Sequence, residues 1–533
     1  MKKYLPLVSL PALFLAAPFA GADTLYWVDA TSYFDAAPSG QIDGRYIWNI
    51  ERDFSGTEKS PYSDNYNWAS GYTVQDATVG DTTYKVPVYE YAVPGAVPNE
   101  NTDIYFNFSD FSGGNNTDGY RYKIAGSPKL SADVTVKSMT ISGTKDNWLM
   151  FRTRGYNLTV KEDLIWTDTN VVTWIGNSSA SELTVGGTIY LRAGSTSIWN
   201  CLRFGNDGVG SIDVGSIKFE QQSRIELATS GAATTFENPQ AIVRGLVDFS
   251  GYDGRFDLGR RSNSTEQFYS VGGLGGTNSA ATVSTCAEDN STGINSTLVL
   301  ANSADANFAG KVTNALVSTD GSSIAVDNTV NVVMNGSAAQ TLSGDNDFKG
   351  YVTVQSGTLL MRTASGASHG KLTLNGGKFG AIGNASFSSA EWNGGAIGFF
   401  NTDEAVAMMT PETVTINGEF AKTGAGKITV DFNNADTYDL IDNGEWYDLI
   451  VADMTGGLFS DDANDDFIAA NLANGYADFQ WINFDGGKTL QVSFSSVPEP
   501  AAVAANLYIG DSYIFFRDFF INLSRSSKKI RFL

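Results

Sequence analysis

The sequence predicts an all-β chain: a right-handed parallel β-helix, or solenoid, with β-rich capping regions at both ends. Three observations predict it. The 533 residues include 56 glycines and 12% aromatics, with abundant Thr, Ser, Asn and Val, while long Ala/Leu/Glu/Lys blocks with a helical period are missing. Short segments of period-2 alternation recur at near-regular spacing. Gly and Asn punctuate them, where sharp bends call for positive φ.

Taken in order, the chain opens with Lys2 and Lys3, an apolar run from Tyr4 to Phe19, and the small residues Ala20-Gly21-Ala22. That is the pattern of a secretory signal peptide over 1–22, cleaved after the Ala20/Ala22 motif by signal peptidase. Residues 23–126 are rich in Tyr and Trp with few repeats, and are expected to form an N-terminal β cap. Between 127 and 400 four segments align: VTVKSMTIS from Val134, LTVKEDLIWT from Leu158, LTVGGTIYLR from Leu183 and IDVGSIKFE from Ile212. Their starts step by roughly 25 residues, within the span of a solenoid repeat. A second pair, Asp305–Thr313 and Asp345–Thr353, brings Phe308/Phe348, Gly310/Gly350 and Val312/Val352 into line. The shorter step is expected to be one coil, and the step of roughly 40 residues between Asp305 and Asp345 two. A single coil cannot bury its inward Val, Leu, Ile and Phe, whereas stacked coils hide them in a continuous core and pair the backbone of each with the next. The competing arrangement is a set of β-sandwich domains, which the recurring steps disfavour. Residues 401–496 read as strands around a polar acidic insert and are expected to cap the other end, since an open end invites edge pairing.

The stretch Thr341–Phe379 carries Gly344, Asn346, Phe348, Gly350, Val354, Gly357 and Leu359, followed by Asn375-Gly376-Gly377. It resembles the autotransporter-associated β-strand repeat. Asn67-Trp68, Pro98 and Asp103–Phe106 are similar to the opening of such proteins. After Val497, the tripeptide Pro498-Glu499-Pro500, an apolar stretch and the basic cluster Arg525, Lys528, Lys529 and Arg531 resemble a PEP-CTERM sorting signal over 497–533. The resemblance implies a Gram-negative-type envelope, transient membrane anchoring through the C-terminus and removal of the anchor by an exosortase-like protease. The segment departs from the pattern after Ala505, where Asn506, Asp511, Arg517 and Asp518 interrupt the apolar run. Each charge near a bilayer centre costs about 2.5–3.5 kcal/mol. A frameshift or recent divergence near Ala505 would account for that. No barrel of alternating strands follows the repeats, so the repeat's name does not carry over as a secretion route.

Fifty-eight acidic residues face 35 basic ones, a net charge of −23. Such a surface repels nucleic acid and anionic lipid, so neither is an expected partner of the body of the chain. Few residues invite catalysis. His369 is the only histidine, which removes His-cluster metal sites. Cys201 and Cys286 permit a disulfide in an exported protein, or separate burial. Gly366-Ala367-Ser368-His369-Gly370 matches the nucleophile-elbow pattern, but that chemistry needs a strand-to-helix turn and a distant histidine, so a repeat corner is the expected reading. No catalytic residue is assigned. A glycosidase-type carboxylate pair cannot be picked out among 58 acids. Asp461, Asp462, Asp465 and Asp466 are candidate calcium ligands without EF-hand spacing, for which a solvated acidic loop is the simpler reading. Trp446, Tyr447 and Trp481 are candidates for stacking on sugars or for burial in the cap.

The sequence therefore points to an exported structural or adhesin-like protein of the cell surface or extracellular matrix. No cofactor is expected apart from the candidate calcium ligands, and exopolysaccharide is the candidate partner. The alternatives are a glycan-active β-helix enzyme, either a polysaccharide lyase or a glycoside hydrolase, and a non-catalytic carbohydrate-binding protein.

Overall fold

The computed structural model describes residues 24–27, 52–53, 68–79, 82–92, 98–107, 128–130, 132–142, 149–167, 173–176, 178–194, 201–229, 235–259, 263–285, 293–315, 328–408, 410–453, 459–484 and 487–496. The signal-peptide residues Ala20 and Ala22, Cys286 and the tripeptide Pro498-Glu499-Pro500 lie outside them. The regular secondary structure of the described residues is nearly all strand, with two short α-helices, Asp403–Met408 and Ala463–Asp466. Strand pairing is overwhelmingly parallel.

The four aligned segments lie side by side in register. Val134 pairs with Leu158, Leu158 with Leu183, and Leu183 with Ile212. The column continues through Ala241, Tyr269, Leu298 and Val332, then through Val352, Leu372 and Ala390. Successive layers are 24 to 34 residues apart as far as Val332 and 18 to 20 apart beyond it, both close to the usual range of stacked structural repeats. Because side chains alternate along a strand, the same register stacks Val136, Val160, Val185, Val214, Val243 and Val271 in one buried row. β-branched residues suit such a row, and full burial of each contributes about 1.5–3 kcal/mol. A second column runs through Ile104, Met139, Leu164, Ile189, Ile217, Val247 and Leu274.

A third set of strands, not anticipated from the repeats, forms a separate seven-stranded parallel sheet. Its strands are Leu149–Phe151, Thr173–Ile175, Leu202–Val209, Arg224–Thr229, Arg255–Leu258, Thr282–Thr285 and Lys311–Ala315. This extra strand explains the longer steps, which shorten once Lys311–Ala315 has been passed. The alignment of the Asp305 and Asp345 copies therefore does not count two equal coils. Phe308 pairs with Leu342, one step on. Val312 belongs to the seven-stranded sheet, whereas Val352 belongs to the large one. What the two copies share is a local corner, in which a buried Phe and a close-packed Gly precede a new strand.

Parallel pairing also runs past residue 400, into the span expected as a cap. Val414–Lys422 stacks on Ala385–Trp392, Tyr447–Asp453 on Val414–Lys422, and Phe467–Ala470 on Ile428–Asp431. Antiparallel pairing begins only with Tyr476–Phe484, Gly487–Ser495 and Tyr447–Asp453. At the other end Thr24–Trp27 joins Asp103–Asn107 in parallel, flanked by the antiparallel pair Trp68–Val79 and Thr82–Ala92. Among the described residues, no helix is long and apolar enough to cross a membrane.

Candidate functional site

Among the described residues, the densest collection of buried charge lies on the seven-stranded sheet. In Leu202–Val209, Arg224–Thr229 and Arg255–Leu258, alternate residues Leu202, Phe204, Ile225, Leu227, Phe256 and Leu258 join the core. Arg203, Arg224, Glu226, Arg255 and Asp257 therefore point to the opposite face. Parallel register places Arg203 beside Glu226, Glu226 beside Asp257, and Arg224 beside Arg255. All five are buried.

Within this ladder Arg224 Nε donates to Asp257 Oδ2 at 2.5 Å and Arg255 Nε donates to Asp257 Oδ1 at 2.8 Å, where the Ser284 hydroxyl also donates at 2.8 Å. Arg203 Nε lies 3.3 Å from Glu226 Oε2, and its guanidinium stands over the Trp174 ring. Burial pushes the Asp257 carboxyl up, but Arg224 and Arg255 beside it and the Ser284 hydroxyl outweigh that and hold it below the ordinary value. Cys201, a free thiol next to this group, is pushed up to about 11 by burial. Its reactivity is accordingly low. Glu226 and Asp257 are adjacent carboxylates, yet both are engaged by arginines and shielded from solvent. The arrangement suits locking neighbouring strands in register better than attacking a polymer. The ladder had a sequence signal: Arg-Ile-Glu-Leu at 224–227 and Arg-Phe-Asp-Leu at 255–258 repeat a charge–apolar–charge–apolar pattern.

The Gly366–Gly370 corner separates its serine from its histidine. Ser368 is exposed, whereas the His369 side chain turns inward and is 1% exposed. Its ring packs at a tilt against Phe348 and Phe387, with centroids 4.2 and 5.6 Å away. Nδ1 bonds to the Phe348 carbonyl at 2.8 Å and Nε2 to Thr363 Oγ1 at 3.0 Å. Burial lowers this imidazole from 6.5 to about 4, so it is neutral near pH 7. His369 is thus one member of an aromatic row and holds two corners together.

The repeat residues occupy corners and core. Phe348, Val354 and Leu359 are buried. Gly344 and Gly350 lie against the backbone carbonyls of Gly310 and Val330, and Gly357, Gly376 and Gly377 lie against the preceding layer. Asn375 Oδ1 accepts from Asn393 Nδ2 at 2.7 Å. Asn346 is fully buried and bonded on all sides, as taken up below.

The acidic stretch is not a uniformly solvated loop. Asp462 caps the helix Ala463–Asp466, Asp461 and Asp465 are exposed, and Asp466 is buried against Lys422. Among the described residues no group of three His, Cys, Asp or Glu side chains is placed to hold a metal ion. Tyr447 packs near Phe494, and Trp481 against Phe459 and Phe467, while Trp446 is exposed.

One half-buried polar group stands apart. Glu266 Oε1 accepts from the Tyr351 phenol at 2.5 Å, from Asn331 Nδ2 at 3.1 Å and from the Thr297 hydroxyl. Burial, followed by the neighbouring Glu266, raises the Tyr351 phenol above its ordinary value.

Compared with protein-family models, with curated proteins and with solved structures, the chain matches none of them.

Proposed function

We propose that the chain is a right-handed parallel β-solenoid that serves as an exported, non-enzymatic rod of the cell surface or extracellular matrix. The observation that carries this reading is the in-register parallel column from Val134 to Ala390. Its eleven layers would rise roughly 50 Å at the ~4.8 Å strand spacing. The hand follows the strong preference of parallel crossover connections. A rod of this kind works through length, rigidity and an acidic surface, and few of its side chains are individually essential.

In this reading signal peptidase removes 1–22, the 497–533 segment anchors the protein transiently, and an exosortase-like protease recognises Pro498-Glu499-Pro500. Exopolysaccharide is the partner on the outside. Measuring the mass of the protein recovered from cells and from medium tests the route, because it reports both processed ends. A mass retaining either end in the external protein would remove the corresponding step. Incubation with a panel of acidic and neutral polysaccharides tests the role, with saturable retention on one glycan and no release of reducing ends or unsaturated products expected.

The runner-up, a glycan-active β-helix enzyme, draws support from the Glu266–Tyr351 acid–phenol pair. If any polysaccharide is cleaved, Glu266→Gln is the variant that decides whether this pair is responsible.

A further inference from the structure

Lys422 occupies an inward position. It ends the strand Val414–Lys422, in which Phe420 and Lys422 share the buried side. Its ammonium meets Asp466 at the end of the helix Ala463–Asp466, with Nζ donating to Oδ1 at 2.6 Å. The two side chains are 9% and 3% exposed. The flanking residues are aromatic: Phe420 and Phe467 both contact Phe459, and Trp481 packs edge-on against Phe459 and Phe467. The second carboxylate oxygen, Oδ2, accepts the backbone N–H of Ser460 at 2.5 Å.

From this geometry we propose that Lys422 and Asp466 condense into an intramolecular amide, which staples the strand Val414–Lys422 to the segment leading into Phe467–Ala470. A buried ion pair carries a large desolvation penalty, and a neutral amide removes both charges. Held in contact, the two groups react with an effective molarity that can reach about 10⁵–10⁸ M. The step balances without any co-reactant. Nζ passes one proton to Oδ1, and its freed lone pair forms the bond to Cγ. The negative charge that develops on Oδ2 faces the Ser460 N–H, the type of donor that stabilises an oxyanion. A second Nζ proton then moves to Oδ1, the Cγ–Oδ1 bond breaks, and one water leaves. Nothing is oxidised or reduced.

The link would connect positions 44 residues apart at the C-terminal end of the parallel stack. It would exist whatever the rod binds, so its test is separate from that of the proposed role. The full-length protein is purified folded, denatured, reduced, digested and sequenced by tandem mass spectrometry. The expected product is a branched peptide joining Lys422 to Asp466, one water lighter than the two peptides together. Its amount should grow on incubating folded protein and not urea-unfolded protein. Recovery of both peptides unlinked and in full yield overturns the proposal. So does persistence of a branched species at this position in Lys422→Arg, which keeps the positive charge but removes the amine nucleophile.

Discussion

Asn346 Oδ1 accepts the backbone N–H of Val312 at 2.8 Å, and with that bond the seven-stranded sheet ends. Val312 lies on its last strand, Lys311–Ala315, and the neighbouring Asp347 N–H completes the contact by donating to the Val312 carbonyl at 3.2 Å. On its other side Asn346 Nδ2 faces the carbonyls of Leu342, Gly344 and Arg362 at 3.1, 2.8 and 2.9 Å. One side chain therefore bonds the layer before, its own layer and the layer after. It stands where the chain gives up its third strand and the step from layer to layer shortens.

Replacing Asn346 tests that junction. Asn346→Asp keeps the size but turns a donor facing three carbonyls into an acceptor, and Asn346→Ala leaves the Val312 N–H without its acceptor. A buried group left without its partner costs about 1–3 kcal/mol, so the alanine variant should lose about 3 kcal/mol and the aspartate variant at least as much at pH 7. Urea denaturation midpoints measure both. An unaltered midpoint for Asn346→Asp would refute the role of Asn346 as the junction.

His369 should give the protein an acid limb of its own. The folded imidazole titrates at about 4 and the unfolded one at 6.5. Between those values the unfolded chain holds a proton that the folded chain does not, so stability falls as pH is lowered from 6.5 towards 4 and is fully retained above 6.5. The loss amounts to about 3 kcal/mol. His369→Phe keeps a ring between Phe348 and Phe387 and removes the titration. It should be less stable at pH 7, through two lost hydrogen bonds, and shallower in pH dependence. Parallel curves for the two proteins across pH 4 to 7 would refute this.

How much of this was legible follows from what each row had to bury. The segments from Val134 to Ile212 read clearly because aliphatic residues alternate with Thr, Asp and Lys and return at near-regular spacing, and their alignment coincides with the strand register. The seven-stranded sheet did not read, because both of its faces are covered. In Arg224–Thr229 charged and apolar residues alternate as on a half-exposed strand, yet every residue is buried, so the charged side chains suggest a surface that the structure covers. The Asp305 and Asp345 copies misled for another reason. They share corner chemistry, a Phe packed under a tight Gly, while the strands they introduce enter different sheets. Likewise Ser368 and His369, adjacent in a catalytic-looking pattern, part company where the strand His369–Leu374 begins: Ser368 precedes it and stays exposed, and His369 opens it facing inward.

Two glycines of the same region separate backbone conformation from crowding. Gly344 has no room: a Cβ there would lie 2.0 Å from the Gly310 carbonyl oxygen. Gly366 has φ +76° and nothing within 4 Å. Gly366→Ala should therefore cost only the left-handed backbone penalty, about 1–2 kcal/mol. Gly344→Ala must push two layers apart and should lower the denaturation midpoint well beyond that. Equal midpoints for the two variants would contradict the close stacking at Gly344.

The ion ladder makes the strongest demand on burial. Asp257→Asn leaves Arg224 and Arg255 facing a neutral group in a site with no access to water. Removing one partner of a buried pair costs about 3–5 kcal/mol. The control is Asp213→Asn, whose partner Arg244 sits on the surface with side chains 47% and 43% exposed. Solvent screens that pair, and the change should stay within about 1 kcal/mol. Asp257 is held below the ordinary carboxylate range, so its contribution is present above that range and lost as pH falls through the folded value. Asp257→Asn should accordingly be far less stable than the parent protein at pH 7 and approach it in strong acid, as read from urea midpoints. Similar losses for Asp257→Asn and Asp213→Asn would mean that the ladder is as wet as the surface pair.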